Sequence, residues 1–367
     1  KRGKESEKIP FYKNIDVMIE FSAGIDLSKD TFYACLQARE PVNAPTIIGT
    51  KEFDNSRKGF ETLLAWVRKR VSKGAVVQFV MEATGVYYEE LAYFLYEQGY
   101  KVAVVLANKM HHYAKSLNIK TKTDRVDASI IASFGLDRSV KEWKPMSPFY
   151  KELRELSRAF LSLKKQKQRA KNQLHALRHA HKTSVVVMEL KKDQIAFYEQ
   201  KIALLKEEIR KVATQDQAFY AKVKKVESLP GAGFETIIGI VCETNGFELF
   251  NSIRQLVSYA GLDVVFNQSG VFNGKTRISK RGNARIRQIL YMPALSAIQH
   301  HRSIKGLYER VVERNPTVKN KGVVAGMRKL LIYIFILWTK NEEYDPTYQW
   351  STHSVEQKKG AKSPRTR

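Results

Sequence analysis

Apolar positions along the chain change period several times. Val17 to Ile25 and Thr31 to Ala38 are short runs rich in apolar, aromatic and β-branched residues, the pattern of two paired strands. Lys58 to Arg70 repeats at helical spacing, Val76 to Met81 reads as a buried strand, and Val86 to Gln98 as a helix after Gly85. Val102 to Leu106 predicts a further strand and Asp124 to Phe134 a helix. Strands alternating with helices imply a mixed sheet covered by helices, and residues 15–145 are read as one α/β domain.

The pattern then turns wholly helical. Leu153, Leu156, Phe160, Leu163, Leu174 and Leu177 keep helix-compatible spacing, and a second run extends from Ile195 to Val226. Neither Pro nor Gly occurs between Lys151 and Leu229. Residues 150–228 therefore predict two long helices in an antiparallel hairpin or coiled coil. Residues 229–345 read as a mostly α-helical C-terminal domain, entered by the turn Leu229-Pro230-Gly231-Ala232-Gly233-Phe234 before an apolar helix over Thr236–Cys242. Arg285 and Arg287 begin another helix, apolar from Ile289 to Ala297. Residues 356–367 are polar, basic and aperiodic, and are expected to be a disordered tail.

Charge narrows the partners. The 367 residues carry 63 Lys and Arg against 37 Asp and Glu, a formal net charge of +26, which favours a phosphate-backbone partner over an acidic protein or membrane surface. Only Cys35 and Cys242 are present, so no disulfide framework or cysteine-rich zinc site is expected, in keeping with a reducing cytoplasm. No apolar run approaches the roughly 18 residues of a membrane span, and the most apolar stretch, Leu330 to Trp338, suits a buried helix. The N-terminus lacks a basic-then-apolar signal arrangement. These features predict a cytoplasmic protein associated with nucleic acid and not with membrane.

Basic residues are concentrated. Phe160 to Met188 is free of acid and contains Lys164, Lys165, Arg169, Lys171 and Arg178. Such a run is often only a solvated face; it also fits a rod lying along a phosphate backbone or carrying a second subunit. Ser269 to Tyr308 again has no acid, but contains Lys275, Arg277, Lys280, Arg281, Arg285 and Arg287. Gly231 and Gly233 leave backbone N–H groups available at a helix start, a possible phosphate contact in a common kind of turn.

Four carboxylates supply candidate chemistry. Asp26 closes the run Ser22 to Ile25, Glu82 closes Val76 to Met81, and Asp124 and Asp127 share a helix face within Lys122-Thr123-Asp124-Arg125-Val126-Asp127. Carboxylates at strand ends joined by a helical pair are how a ribonuclease-H-like sheet assembles a divalent-metal site. Two hard cations about 4 Å apart would orient a hydroxyl and stabilise charge on phosphorus. The plain alternative makes Asp26 a turn residue and Asp124 a helix N-cap. A second constellation is Gln268-Ser269-Gly270 in its field of arginines, which suits a phosphoryl acceptor; here the plain alternative is a turn beside DNA-binding arginines. Ser279, before Lys280-Arg281, competes as a cap, a phosphate contact or the acceptor.

With these residues in view, the chain resembles the DEDD-type insertion-sequence transposases, the group that includes the Piv DNA invertases. Gly24-Ile25-Asp26, Lys29, Met81-Glu82-Ala83-Thr84-Gly85-Val86-Tyr87 and Lys122 to Ala128 look like the parts of a RuvC-like domain. Pro230-Gly231, Gly233, Tyr259-Ala260-Gly261-Leu262, Gln268-Ser269-Gly270 and Arg277 to Asn283 resemble the C-terminal transposase domain. The resemblance implies Mg²⁺, two ions per site, on Asp26, Glu82, Asp124 and Asp127, and a catalytic serine at Ser269 that forms a phosphoserine link to DNA. It also implies donor and target DNA, a structured non-coding guide RNA, and homodimers that pair into tetramers with the long helices as an intersubunit coiled coil. The expected function is RNA-guided strand exchange. A RuvC-like endonuclease or junction resolvase without the serine step is the alternative enzyme, and an architectural or RNA-binding protein the non-catalytic one.

Overall fold

The computed structural model describes residues 20–347, except 41, 42, 84, 271 and 275, and the chain divides into two compact units between Pro145 and Met146. Residues Val17 to Ile19 of the first expected strand, Thr84, Lys275 and the tail 356–367 lie outside the described residues.

The first unit contains β1 (Glu20–Leu27), β2 (Thr31–Arg39), β3 (Thr46–Asp54), α1 (Arg57–Arg68), β4 (Val77–Glu82), α2 (Glu89–Glu97), β5 (Lys101–Val105), α3 (Ala107–Ser116) and α4 (Asp124–Asp137). The sheet runs β3-β2-β1-β4-β5: β1 pairs antiparallel with β2 and parallel with β4, and β4 pairs parallel with β5. One face buries Ala23, Ile25, Phe32 and Leu36 under α1 and α2, through Phe60, Leu63, Leu91 and Leu95. The other buries Val80 and Ala103 beneath Met110 of α3 and Ile130, Ile131 and Phe134 of α4. This is the mixed, helix-covered sheet that the alternating pattern predicts. β3 and α3 had no counterpart in that pattern. β3 is an edge strand with only Phe53 buried, and α3 buries only Met110 and Tyr113.

Glycine lets α4 lie directly on the sheet. A Cβ at Gly24 of β1 would fall on the Ala128 O and Ala132 N of α4 and 2.7 Å from Ala132 Cα. At the other end of the contact, a Cβ on Gly135 would meet Ser22 Oγ and stand 2.7 Å from Val80 Cγ2. Gly135 over Ser22 and Ala128 over Gly24 make the helix antiparallel to β1, so its first turn reaches the C-terminal end of that strand. Buried Gln37 of β2 fixes the register. Its amide donates to the Ser129 O at 3.0 Å, and the Ser133 hydroxyl donates to its Oε1 at 3.0 Å. Arg39 bonds the Leu136 O and pairs with Glu20 at 2.6 Å and Asp137 at 3.3 Å.

The second unit begins with two long helices, α5 (Pro148–His179) and α6 (Val185–Gln215), packed side by side. Phe160, Ile202 and Ile209 join them to a core shared with the helices that follow. Those are α7 (Gln217–Glu227), α8 (Phe234–Glu243) and α9 (Ile253–Tyr259). Short strand pairs come next: β6 (Val264–Val265), β7 (Gln268–Ser269), β8 (Phe272–Asn273) and β9 (Arg277–Ile278), in which β6 pairs with β9 and β7 with β8. Helices α10 (Ala284–His300), α11 (Arg302–Glu313) and α12 (Asn320–Lys340) complete the unit. By length and composition α12 could cross a membrane, which corrects the expectation that no segment would. Half of its most apolar window is buried, and Leu330, Leu331 and Ile334 belong to the core of the unit.

Candidate active site

The carboxylates of the first unit converge. Ile25 pairs with Met81, so Asp26 and Glu82 are the next residues on adjacent parallel strands. Asp26 lies two residues beyond Gly24, and Glu82 two beyond Val80, so both side chains take the α4 face of the sheet. The antiparallel run of α4 brings Asp124 and Asp127, in its first turn, to the same place. Thr123 is the N-cap, its hydroxyl accepting from the Val126 N–H at 3.3 Å. Asp26 therefore sits in a strand rather than a turn, and Asp124 is not the cap; neither plain alternative holds.

Electrostatics register the crowding. Asp26 is pushed up to about 6 by burial and then by the charges of Asp127, Asp124 and Glu82, with Lys122 opposing. Burial and Asp127 raise Glu82, while burial and Asp124 raise Asp127; Lys122 pulls both back. Like charges held together on half-buried positions are unfavourable unless a cation joins them. Their hard oxygen donors suit Mg²⁺ or a similar divalent ion. Among the described residues, no three side chains of Asp, Glu, His or Cys stand close enough together to hold a metal ion, so these four would have to draw closer around one. Lys122 was part of the sequence motif but was not singled out; it is the cation these carboxylates feel. Tyr33, paired with Asp26 across β1 and β2, donates its hydroxyl to Glu52 Oε2 at 3.0 Å, an acid supplied by the unforeseen edge strand.

In the second unit, Ser269 is exposed on the β7–β8 hairpin, paired with Phe272, and Gly270 takes the left-handed φ of +53° needed to turn the chain. Arg277, Lys280, Arg281 and Arg285 are exposed. Arg287 is half-buried and donates to the Ala260 O at 2.8 Å, which ties the chain before β6 to α10. Ser279 is also engaged: its hydroxyl donates to Asp263 Oδ1 at 2.5 Å and accepts from the Arg281 N–H at 3.3 Å. A Cβ at Gly231 would stand 2.6 Å from the Pro293 O, so this glycine serves close packing on α10, whereas Gly233, at the start of α8, meets open space. On α5, Lys164, Lys165, Arg169, Lys171 and Arg178 are all exposed, with Lys171 3.4 Å from Glu199 of α6.

A buried carboxylate that sequence reading missed organises the basic turn. Glu243 is 6 % exposed and receives Arg158 Nε at 2.6 Å, Arg158 Nη2 at 2.9 Å and Asn283 Nδ2 at 2.8 Å. Asn283 in turn accepts from the Arg285 and Ile286 N–H groups and so caps α10. Burial pushes Glu243 up, but the Arg158 and Asn283 hydrogen bonds outweigh it and hold the carboxyl below its ordinary range. Removing one partner leaves a buried charge, so Arg158→Ala should cost about 2 kcal/mol, read from urea midpoints. The loss should be present at neutral pH and shrink as pH falls below the ordinary glutamate pKa of ~4.3, because a lowered carboxyl stabilises only when ionised. No loss at pH 7 would show that the pair is not stabilising.

Residues 23–182 match the DEDD transposase model of the IS110 type, and residues 223–309 match the model described as the transposase IS116/IS110/IS902 family. The chain belongs to this transposase family. The pilin gene-inverting protein of Moraxella bovis is 29 % identical over 325 residues, covering 88 % of this chain and 97 % of that relative. The transposase for insertion sequence element IS1111A of Coxiella burnetii is 29 % identical over 142 residues, 38 % of this chain and 37 % of that one. Among solved structures, Thermus thermophilus RuvC aligns with 34 % of this chain and 99 % of its own, at 13 % identity and a TM-score of 0.26. Family membership makes DNA the substrate, and DNA recombination the class of activity.

Proposed function

We propose that this transposase exchanges DNA strands through a covalent bond between Ser269 and DNA, with Asp26, Glu82, Asp124 and Asp127 holding Mg²⁺. The observation that carries the reading is the convergence of these four carboxylates, where burial first, and the charges of the other three next, raise Asp26 to about 6. The exposed serine in an acid-free basic stretch supplies the second half. The Moraxella relative, a pilin gene-inverting protein, supports exchange rather than simple cutting.

In the proposed reaction Ser269 Oγ attacks phosphorus and the bond to the 3′-oxygen breaks. The serine proton ends on that oxygen, leaving a 3′-hydroxyl and a 5′-phosphoserine ester. A 3′-hydroxyl from the other DNA then attacks the ester, joins the new strands and returns the serine. The phosphodiester count is conserved, so no high-energy cofactor is consumed. Bound Mg²⁺ would supply positive charge to the phosphate oxygens. Arg277 and Arg281, with Lys280 and Arg285, would neutralise neighbouring phosphates; Lys275 would join them from outside the described residues.

A structured RNA from the element's flank is proposed to choose the donor and target sites by base pairing, a task for which the chain offers no recognisable groove-reading motif of its own. The exposed face of α5 would lie along its backbone. Assembly into dimers and tetramers is proposed along the helical rod. Val186, Leu190, Phe197 and Leu204 of α6 are exposed there and available to a second copy.

The test is exchange between labelled donor and target DNA, with Mg²⁺ and the flanking RNA each left out in turn. Product should need both, and Ser269→Ala should abolish it. Product without RNA would remove guidance from the account. Strand breaks unchanged by Ser269→Ala would favour the metal-dependent endonuclease.

A further inference from the structure

The hairpin that carries Ser269 also presents an aromatic residue beside it. Ser269 and Phe272 are directly opposed across β7 and β8. Opposed residues project on the same face with Cβ atoms about 5 Å apart, so the serine hydroxyl and the phenyl ring are neighbours. Phe272 is 57 % exposed, and Phe266, just ahead of the hairpin, is 66 % exposed. Val264 and Val265 are 42 % and 41 % exposed. Four large apolar side chains left in water between residues 264 and 272 mark this stretch as a binding region. Glycine at 274 leaves room for the ring: a Cβ there would stand 3.1 Å from Phe272 Cε1.

The surroundings restrict what can cover these rings. From Ser269 to Tyr308 the chain has no acid, and Arg277, Lys280 and Arg281 are exposed around the same strands. A partner must therefore present flat apolar surface together with negative charge. An unpaired nucleotide does both, stacking its base on an aromatic ring while its phosphate meets the arginines. Base and phosphate are joined through one sugar, so a base seated on Phe272 would leave its phosphate beside the neighbouring hydroxyl.

We propose that Phe272 forms a stacking platform for an unpaired DNA base next to the phosphate that Ser269 attacks, holding the strand open at the point of exchange. The proposal rests on the reading of Ser269 as the nucleophile. It makes Phe272 a substrate-binding residue.

The test uses the full chain and a short single-stranded oligonucleotide carrying the fluorescent base 2-aminopurine at its centre, since aromatic stacking tolerates any base. Wild type should quench the fluorescence. Phe272→Ala should remove the quench and weaken single-strand binding about tenfold, while Phe272→Tyr restores both. Binding of paired duplex, governed by the arginines, should not change. Ser269→Ala should quench like wild type, which separates the two ideas. If no adduct forms with any protein but the quench depends on Phe272, only the nucleophile reading falls. Unchanged quenching in Phe272→Ala overturns the platform. So does a variant with normal strand binding whose oligomers come apart in sedimentation, which would assign the rings to a second copy of the chain.

Discussion

Replacing Asp26 by Asn is expected to make the metal-free protein more stable at pH 8 while removing its DNA cleavage. Asp26 is held at about 6 in the folded chain against an ordinary 3.8. Between those values the folded state binds the proton and the unfolded state does not. The stabilisation is thus complete below the unfolded value and is lost as pH rises through about 6. At pH 8 the ionised side chain costs on the order of 2 kcal/mol, allowing for its partial access to solvent. Asparagine keeps the shape and drops the charge, so the melting temperature should rise by several degrees. Wild type should gain a comparable rise when Mg²⁺ is added at pH 8, and less at pH 5, where protons compete for the oxygens. Asp26→Asn should lose that metal response, and its strand cleavage should fall on the order of a thousandfold. A variant less stable than wild type without metal at pH 8, or one still stabilised by Mg²⁺, would remove the charge cluster from the account.

Gly24→Ala should be as damaging as the loss of a core side chain. The added methyl would fall on main-chain atoms of α4 at Ala128 and Ala132, which cannot rotate aside as a side chain can. The helix must lift from β1, and its lifting carries Asp124 and Asp127 away from Asp26. The cost should be about 3 kcal/mol, with loss of cleavage even where the protein remains folded. Gly233→Ala, whose new methyl meets nothing within 4 Å, is the control and should be near neutral. Equal urea midpoints for the two variants would mean that α4 does not depend on this contact.

Where burial imposes a period, the sequence was legible. β1, β2 and β4 announce themselves because their apolar residues are packed on both faces, and α5 and α6 because nothing interrupts them. β3 was hidden because an edge strand needs little apolar surface, and Glu52 was hidden with it. The short strands around Ser269 are two residues each, below the length at which alternation can be seen. The acids of the first unit could be picked out because each ends an apolar run or shares a helical turn. Their convergence depends on the close approach at Gly24, and a glycine in an apolar run signals that only faintly. Glu243 left no signal, being a single acid in an apolar helix whose partners, Arg158 and Asn283, are far away in sequence. A Pro-Gly turn before a helix makes Gly231 look like a phosphate contact in sequence; its packing against Pro293 is a long-range fact.

The most direct test of the central claim is to identify the atom of the protein that becomes joined to DNA. Element-junction DNA would be incubated with the chain, Mg²⁺ and flanking RNA, quenched in denaturant, trimmed with nuclease and protease, and analysed by mass spectrometry. The account predicts a nucleotide remnant attached through its 5′-phosphate to the peptide containing Ser269, absent from Ser269→Ala and from Asp26→Asn. Free 5′-phosphate and 3′-hydroxyl ends with no modified peptide, at a rate indifferent to Ser269→Ala, would contradict it and leave a hydrolytic nuclease built on the four carboxylates.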